Sequence, residues 1–261
     1  MKKQPSFLTL AAVFTACSLI FPSCKNDDNE TPSLPTAGLV AYYPFDGNAQ
    51  DESEYVNHGT PTSVEYVRNR KNQESKAVYF NGTNAYVLVP HIDAINFGDQ
   101  NYAISCWVKY GDQVNTVSQD NHVLAKSYTN TNYPFTLRVY TQNSSNPGKW
   151  QSPRKDDGSC NNGTSTTNGP STATGSLRSD DDTWHHFLIL RKGKTLTAYM
   201  DGAVVSTMED KTTCSTQNAD NLCIGVQKPG FDRTWYTGAL DDLRIYNRAL
   251  SEAEIKLLYE E

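Results

Sequence analysis

Positive charge is scarce in this chain. Lys and Arg total 23 against 29 Asp and Glu, a formal net charge of −6 over 261 residues. No basic stripe breaks that deficit, which argues against binding to a phosphate backbone. Past residue 24 there is no long apolar run. At 37% hydrophobic and 20% charged, the composition fits neither a membrane-embedded nor a disordered chain. Helical periodicity is nearly absent and no internal repeat is visible. A Gly-x-Ser-x-Gly nucleophile elbow is missing. What the chain does have is aromatic side chains, 11% of the total and led by 15 Tyr, and these suit strands better than helices.

The N-terminus reads as an address. Lys2 and Lys3 form a charged start, and residues 7–20 carry no charge. That run has the length of a signal-peptide core and is short for a bilayer span. Ser23 then precedes Cys24, an arrangement that resembles a bacterial lipoprotein signal with Cys24 as the lipidated residue. Phe21 stands where such signals usually have Leu. Cys17 also follows a small residue, but cleavage there would strand residues 18–21 in the mature tail. An ordinary cleaved signal is the alternative. Residues 1–23 are thus expected to be the signal. Residues 24–37 are expected to be a tether, acidic at first (Asp27, Asp28, Glu30) and then stiffened by Pro32 and Pro35. The acidic stretch is similar to the surface-export signal of some Gram-negative glycan-foraging lipoproteins, which implies a lipid-anchored protein on the outer membrane, facing outward.

From Gly38 the pattern changes to short strands and turns. Ile104, Cys106 and Val108 fall on one strand face, Ser105 and Trp107 on the other. Asp201-Gly202 between residues 195–200 and 203–206 is a strong hairpin signal. Asn81-Gly82-Thr83-Asn84 between 77–80 and 85–89 is a second. Leu240 and Leu243 are an odd number of residues apart, so a bulge at Asp241-Asp242 would be needed to bury both. The clear helix is the last segment: Ser251 with Glu254 makes a capping box, Leu250 and Ile255 a staple. Residues 141–180 are almost wholly polar, a length at which loops are usually functional or disordered. The expected fold is all-β, a two-sheet antiparallel jelly-roll sandwich over residues 38–261 with one short C-terminal helix.

Six segments in order carry a resemblance: residues 38–51, Val78-Tyr79-Phe80-Asn81-Gly82-Thr83, residues 103–109, Thr183-Trp184-His185-His186, Tyr199-Met200-Asp201-Gly202, and residues 238–251. The chain resembles the laminin-G-like jelly-roll domain of the concanavalin A-like lectin/glucanase superfamily. That resemblance implies a sandwich and says much less about function. The 40-residue polar segment departs from the family's plain members.

Asp46, Asn48 and Asp51 crowd one turn, and Asp241 and Asp242 another. Calcium takes six to eight oxygens from such carboxylates and from turn carbonyls. The resemblance implies a structural calcium, which assigns Asp46, Asp51 and Asp241 as its ligands. Simple turn capping is the competing explanation. The glucanase branch uses alternating Glu and Asp on one strand, in a Glu-x-Asp-x-x-Glu type of motif, and no such run occurs here. His185 and His186 point to opposite strand faces and cannot share a metal.

A sugar site needs an aromatic platform beside polar groups. Trp107 and Trp184 belong to the fold segments. Trp150 and Trp235 do not, and with Tyr133 they are the carbohydrate-binding candidates; loop aromatics packed onto the sandwich are the alternative. Of the cysteines, Cys106 and Cys223 read as buried thiols, and Cys160 with Cys214 as a disulfide in an exported protein. The sequence therefore points to a non-catalytic glycan-binding surface lipoprotein, with a glycan or polysaccharide as partner. A protein-binding adhesion module and a divergent glycoside hydrolase or polysaccharide lyase are the alternatives.

Overall fold

A computed structural model describes Met1 and residues 33–111, 120–126, 132–140, 150–155, 183–230 and 234–261. The strands run in chain order as β1 (Leu39–Tyr43), β2 (Thr60–Thr62), β3 (Glu65–Val67), β4 (Ala77–Asn81), β5 (Tyr86–Val89), β6 (Tyr102–Tyr110), β7 (Asp120–Ala125), β8 (Thr136–Tyr140), β9 (Trp150–Gln151), β10 (Trp184–Lys192), β11 (Thr195–Met200), β12 (Ala203–Glu209), β13 (Leu222–Ile224) and β14 (Thr237–Tyr246). The helix α1 (Glu252–Glu260) follows. Residues Leu34–Glu261 form one unit.

The expected two-sheet antiparallel sandwich is present. An eight-stranded sheet has the order β12-β11-β10-β6-β14-β4-β3, with β1 also paired to β14. A six-stranded sheet has the order β2-β5-β13-β7-β8-β9. Strand alternation explains which faces meet. Val78, Phe80, Cys106, Val108 and Leu240 of the larger sheet are buried in one core with Val87, Val89, Leu124, Leu137 and Ile224 of the smaller.

The predicted bulge is in β14. Its pairing with β6 slips between Asp241 and Arg244, and Asp242 takes φ 48°. Leu240 and Leu243 are consequently both buried. The bulge also divides the other edge of β14. Residues 237–240 pair with β4, whereas residues 243–246 pair with β1.

One predicted hairpin forms and the other does not. Asp201 (φ 51°) and Gly202 (φ 75°) close β11 onto β12 with both turn residues left-handed, as a two-residue hairpin turn of the primed type requires. The Asn81–Asn84 turn instead carries the chain from one sheet to the other. β4 belongs to the larger sheet and β5 to the smaller. The Asn81 side chain accepts hydrogen bonds from the N–H groups of Thr83, Asn84 and Ala85 (3.0–3.2 Å). The Asn-Gly signal marks a turn, and the tertiary structure uses it as a corner.

The outer face of the larger sheet is partly roofed by α1. Ser251 caps the helix and completes the capping box with Glu254. Ile255 and Leu258 bury against Leu188, Leu190, Tyr246 and Leu250. Tyr259 stacks on Trp107 (5.8 Å, 17° between planes), and Trp107 lies 5.2 Å from the ring of His186. His186 is sealed beneath, with Nε2 2.8 Å from Ser105 Oγ. Burial pushes its imidazole down to about 3, against the opposing pull of Asp201. The folded state therefore refuses a proton that the unfolded chain takes up below about pH 6.5. Stability from this group is complete above that pH and is lost as pH falls toward 3. Chemical denaturation at stepped pH should show an acid-side loss on the order of 1 kcal/mol per pH unit from this residue. His186→Gln should flatten the slope by about that amount, and an unchanged slope would contradict the assignment.

Candidate functional site

The three aromatic residues singled out in the sequence do not meet. Trp150 is 0% exposed. It begins the short edge strand β9, pairs in register with Val139, and packs on Phe187 at 4.7 Å between centroids. That register turns its ring into the core, so Trp150 is not a surface platform. Trp235 is 8% exposed and packs with Cys223, Val226, Tyr86 and Leu88 on the outer side of the smaller sheet. It too is closed to stacking by a sugar. Tyr133 keeps partial exposure at a bridge to Lys155, and burial raises its phenol pKa.

Residues 150–155 of the polar segment are therefore structural. Arg154, four residues past Trp150, is fully buried. Its guanidinium reaches Asp210 (3.1 Å), the Gly98 carbonyl (2.7 Å) and the hydroxyls of Thr212 and Thr216 (both 3.3 Å). Asp210 also binds Arg191 at 2.6 Å. Residues 156–180 of that segment, and Cys160 within it, lie outside the described residues. Cys106 and Cys223 are buried thiols outside any disulfide. Cys214 is buried and disulfide-bonded.

The residues assigned to calcium do not fit it. Asp51 spends both oxygens inside its own turn. Oδ1 accepts from the N–H groups of Tyr42 and Ser53 (2.8 and 2.9 Å), and Oδ2 accepts from Ser53 Oγ and Asn57 N–H (both 2.9 Å). Asp46 is paired with Lys76 at 2.6 Å. Asp241 and Asp242 share Nη1 of Arg70, each at 2.6 Å. Protein cations and backbone N–H groups thus take the oxygens a metal would need. Among the described residues no group of three or more His, Cys, Asp or Glu side chains is arranged to hold a metal ion. No step is derived through calcium.

Two polar constellations were not legible in the sequence. Thr183 Oγ1, His185 and Asp201 form a hydrogen-bonded chain, 3.1 Å to Nε2 and 2.8 Å from Nδ1 to Oδ2. Asp201 also accepts the His186 N–H at 2.9 Å. Burial works against the charge of Asp201, but the bonds from His185 and the His186 backbone outweigh it and hold the carboxyl below its usual range. The chain ties the β11–β12 turn to the start of β10. In the second, Lys126 is buried with Nζ against His91 Nδ1 (3.0 Å), the Asp220 carbonyl (2.7 Å) and Asn218 Oδ1 (3.3 Å). Burial lowers its ammonium pKa to about 8. With these acceptors and the Asn218 carbonyl (3.5 Å) around it, Lys126 clips the 218–220 loop to β7.

One open concavity among the described residues lies on the outer face of the larger sheet. A groove of about 450 Å³ is lined by Val67, Arg68, Tyr79, Lys109, Gly238 and Ala239, among others. Register explains its make-up. Glu65 pairs with Tyr79, Tyr79 with Ala239, Ala239 with Lys109, and Lys109 with Trp184. This row crosses five strands and faces outward, because its neighbours Val78, Phe80, Leu240 and Val108 face the core. The next row is roofed. Arg70, held by Asp241 and Asp242, lies 4.8 Å over the ring of Trp107. The groove opens where that roof stops. Ala239 gives it a shallow floor, and Gly238 (φ 145°) takes a conformation in which an added Cβ would strike the Lys109 carbonyl. Tyr79 is half-buried with its hydroxyl unpartnered among the described residues. Arg68 is paired to Glu74 and Asn72 at the rim. The groove can therefore offer a ligand an aromatic face beside the side chains of Arg68 and Lys109. Each of its residues sits in a strand or turn that reads as ordinary fold, and only the cross-strand register brings them together.

The Laminin_G_3 family model, described as Concanavalin A-like lectin/glucanases superfamily, matches residues 81–256. None of the curated proteins is similar in sequence. Among solved structures, the chain is similar to the binding domain of Paraclostridial Mosquitocidal Protein 1, with a TM-score of 0.67 and 18% identity over 85% of this chain and 52% of that one. It is also similar to domain 4 of AbnA, a GH43 extracellular arabinanase from Geobacillus stearothermophilus, in complex with arabinotriose (TM-score 0.60, 18% identity, 86% of this chain and 100% of that one). The botulinum neurotoxin serotype D binding domain is a third (TM-score 0.63, 13% identity, 85% and 50%). The chain spans about half the length of the first and third. At these identities the likeness is one of fold.

Two measurements follow from the site geometry. Trp150→Ala should cost about 3–5 kcal/mol of stability, as large-to-small changes in a core do, read from denaturant midpoints. Excess chelator should leave the melting temperature unchanged, whereas Arg70→Met should lower it clearly. Removing that guanidinium takes the cation from the buried Asp241 carboxyl, while Asp242 keeps Arg244; breaking a buried pair typically costs about 3–5 kcal/mol. A melting temperature that drops in chelator would restore calcium to the turn.

Proposed function

Because the chain belongs to the Laminin_G_3 family of the concanavalin A-like lectin/glucanases superfamily, we propose that it is a glycan-binding module that works without catalysis, and that its site is the groove over Tyr79, Ala239 and Lys109. The observation that carries this reading is the groove itself. It joins a half-exposed ring and cationic side chains on a flat, small-residue floor. A pyranose matches that surface, with an apolar face to stack and hydroxyls to hydrogen-bond at the rim. Domain 4 of AbnA, a relative in fold, was solved with arabinotriose, which supports a sugar ligand. Catalysis of the glucanase type would need paired acids in the groove, and the described residues that line it are Val67, Arg68, Tyr79, Lys109, Tyr110, Gly111, Gly238 and Ala239.

A protein-binding adhesion module is the competing reading. It would need a contiguous exposed apolar patch. Besides Met1, the large exposed apolar side chains among the described residues are Tyr55, Val56, Val204 and Tyr259, which is too few for a broad one.

The proposal extends to location. Residues 1–23 are the signal, Cys24 carries the lipid, and residues 24–37 tether the domain to the outer face of the outer membrane. Cys160 is the proposed disulfide partner of Cys214.

Tyr79→Ala should weaken glycan binding by roughly tenfold, since about 1.4 kcal/mol is tenfold in affinity, with little change in melting temperature. Titration calorimetry on hits from a glycan array checks this. Equal affinity of wild type and variant would move the site elsewhere. Cys24→Ala should shift the protein from the membrane to the soluble fraction, and retention in the membrane would refute the lipid anchor.

A further inference from the structure

The outward row does not end at the groove. Beyond Lys109 it reaches Trp184, the first residue of β10. Trp184 belongs to a fold segment, and sequence alone gives it a packing role. In the structure its indole is only partly buried and makes no hydrogen bond or ring contact with the described residues. Trp107, one row away, is covered by Arg70 and Tyr259 instead. Two rings, Tyr79 and Trp184, therefore stand on one row with their polar tips unpartnered. Between them lie only Ala239 and Lys109.

Neighbouring strands are about 4.8 Å apart, so the three steps from β4 through β14 and β6 to β10 span roughly 14 Å. That distance is too long for one sugar ring to touch both aromatics. The roof over Trp107 walls one side of the row. On the other side, among the described residues, Gly111 and Gly238 line the groove. The result is a track running across the strands, with an aromatic ring at each end and Ala239 and Lys109 between them.

We infer that the protein binds a linear oligosaccharide longer than a disaccharide, laid across the strands of the larger sheet, with Tyr79 stacking one unit and Trp184 a more distant one. This inference rests on the groove being the glycan site. It adds a second, separate subsite and an orientation for the ligand. Recognition then depends on chain length, because a mono- or disaccharide occupies the Tyr79 end, in the groove, and does not reach Trp184.

The test uses the domain 38–261 together with the full chain, titrated with linear arabino-, xylo-, cello- and manno-oligosaccharides from mono- to hexasaccharide. For the series that binds, affinity should rise at least tenfold once the chain can span both rings and then level off. Trp184→Ala should remove that rise while leaving the affinity for the shortest binder unchanged. Tyr79→Ala should weaken short and long ligands alike. Trp184→Phe should restore most of the length dependence, which separates lost stacking from lost folding. In parallel, the indole N–H resonance of wild-type Trp184, assigned by its absence in the Phe variant, should move with a tetrasaccharide and stay still with a disaccharide. Affinity independent of length, or a length dependence that survives Trp184→Ala, would overturn the second subsite while leaving glycan binding standing. No binding in any of the four series would bring down the glycan reading and the subsite with it.

Discussion

The extra residue in β14 organises much of the molecule. Without the bulge, Leu240 and Leu243 would lie on opposite faces and the larger sheet would lose one of them from the core. With it, β14 serves two partners on one edge, and the two aspartates at the break leave the ladder pointing at Arg70. Arg70 is thereby fixed flat over Trp107, the contact that roofs one row of the outer face and leaves the next one open. Core, roof and groove follow from one irregularity. The charge arithmetic at that point also matters. A buried pair of carboxylates needs a cation, and here a guanidinium from the 68–76 loop supplies it, with Arg244 beside Asp242 at 3.2 Å.

Much of the architecture was legible because it rests on local rules. The alternation at Ile104, Cys106 and Val108, the Asp201-Gly202 turn, the Ser251–Glu254 cap and the need for a bulge after Leu240 are all statements about two to five neighbouring residues. The Asn81–Asn84 turn shows where such rules stop. A turn signal fixes a change of direction but not which strand is met afterwards, and β5 finds its partners in the other sheet. Trp150 shows a second limit. Its surroundings in sequence are polar, so it reads as exposed. Yet a single large ring, followed by Arg154 with a buried partner in Asp210, is enough to draw residues 150–154 into the interior.

The candidate site was the least legible part, and for a geometric reason. Tyr79, Ala239, Lys109 and Trp184 come from four strands separated by up to 160 positions in sequence, and no local pattern links them. Register alone aligns them. Aromatic residues outside the fold segments were the natural candidates, but those are the ones that pack. The exposed rings lie inside the fold segments, on the face that the core does not use.

The pairing of β1 with β14 has a kinetic side. β1 is the first strand of the domain, and its sheet partner is the last. As synthesis proceeds from the N-terminus, Val40, Ala41 and Tyr43 emerge some two hundred residues before the edge that will satisfy them. Contacts of such long separation are slow to form, and unpaired strands are exposed in the meantime. Until then β1 lacks its sheet partner. The larger sheet is complete only with β14 in place, between β6 on one side and β4 and β1 on the other.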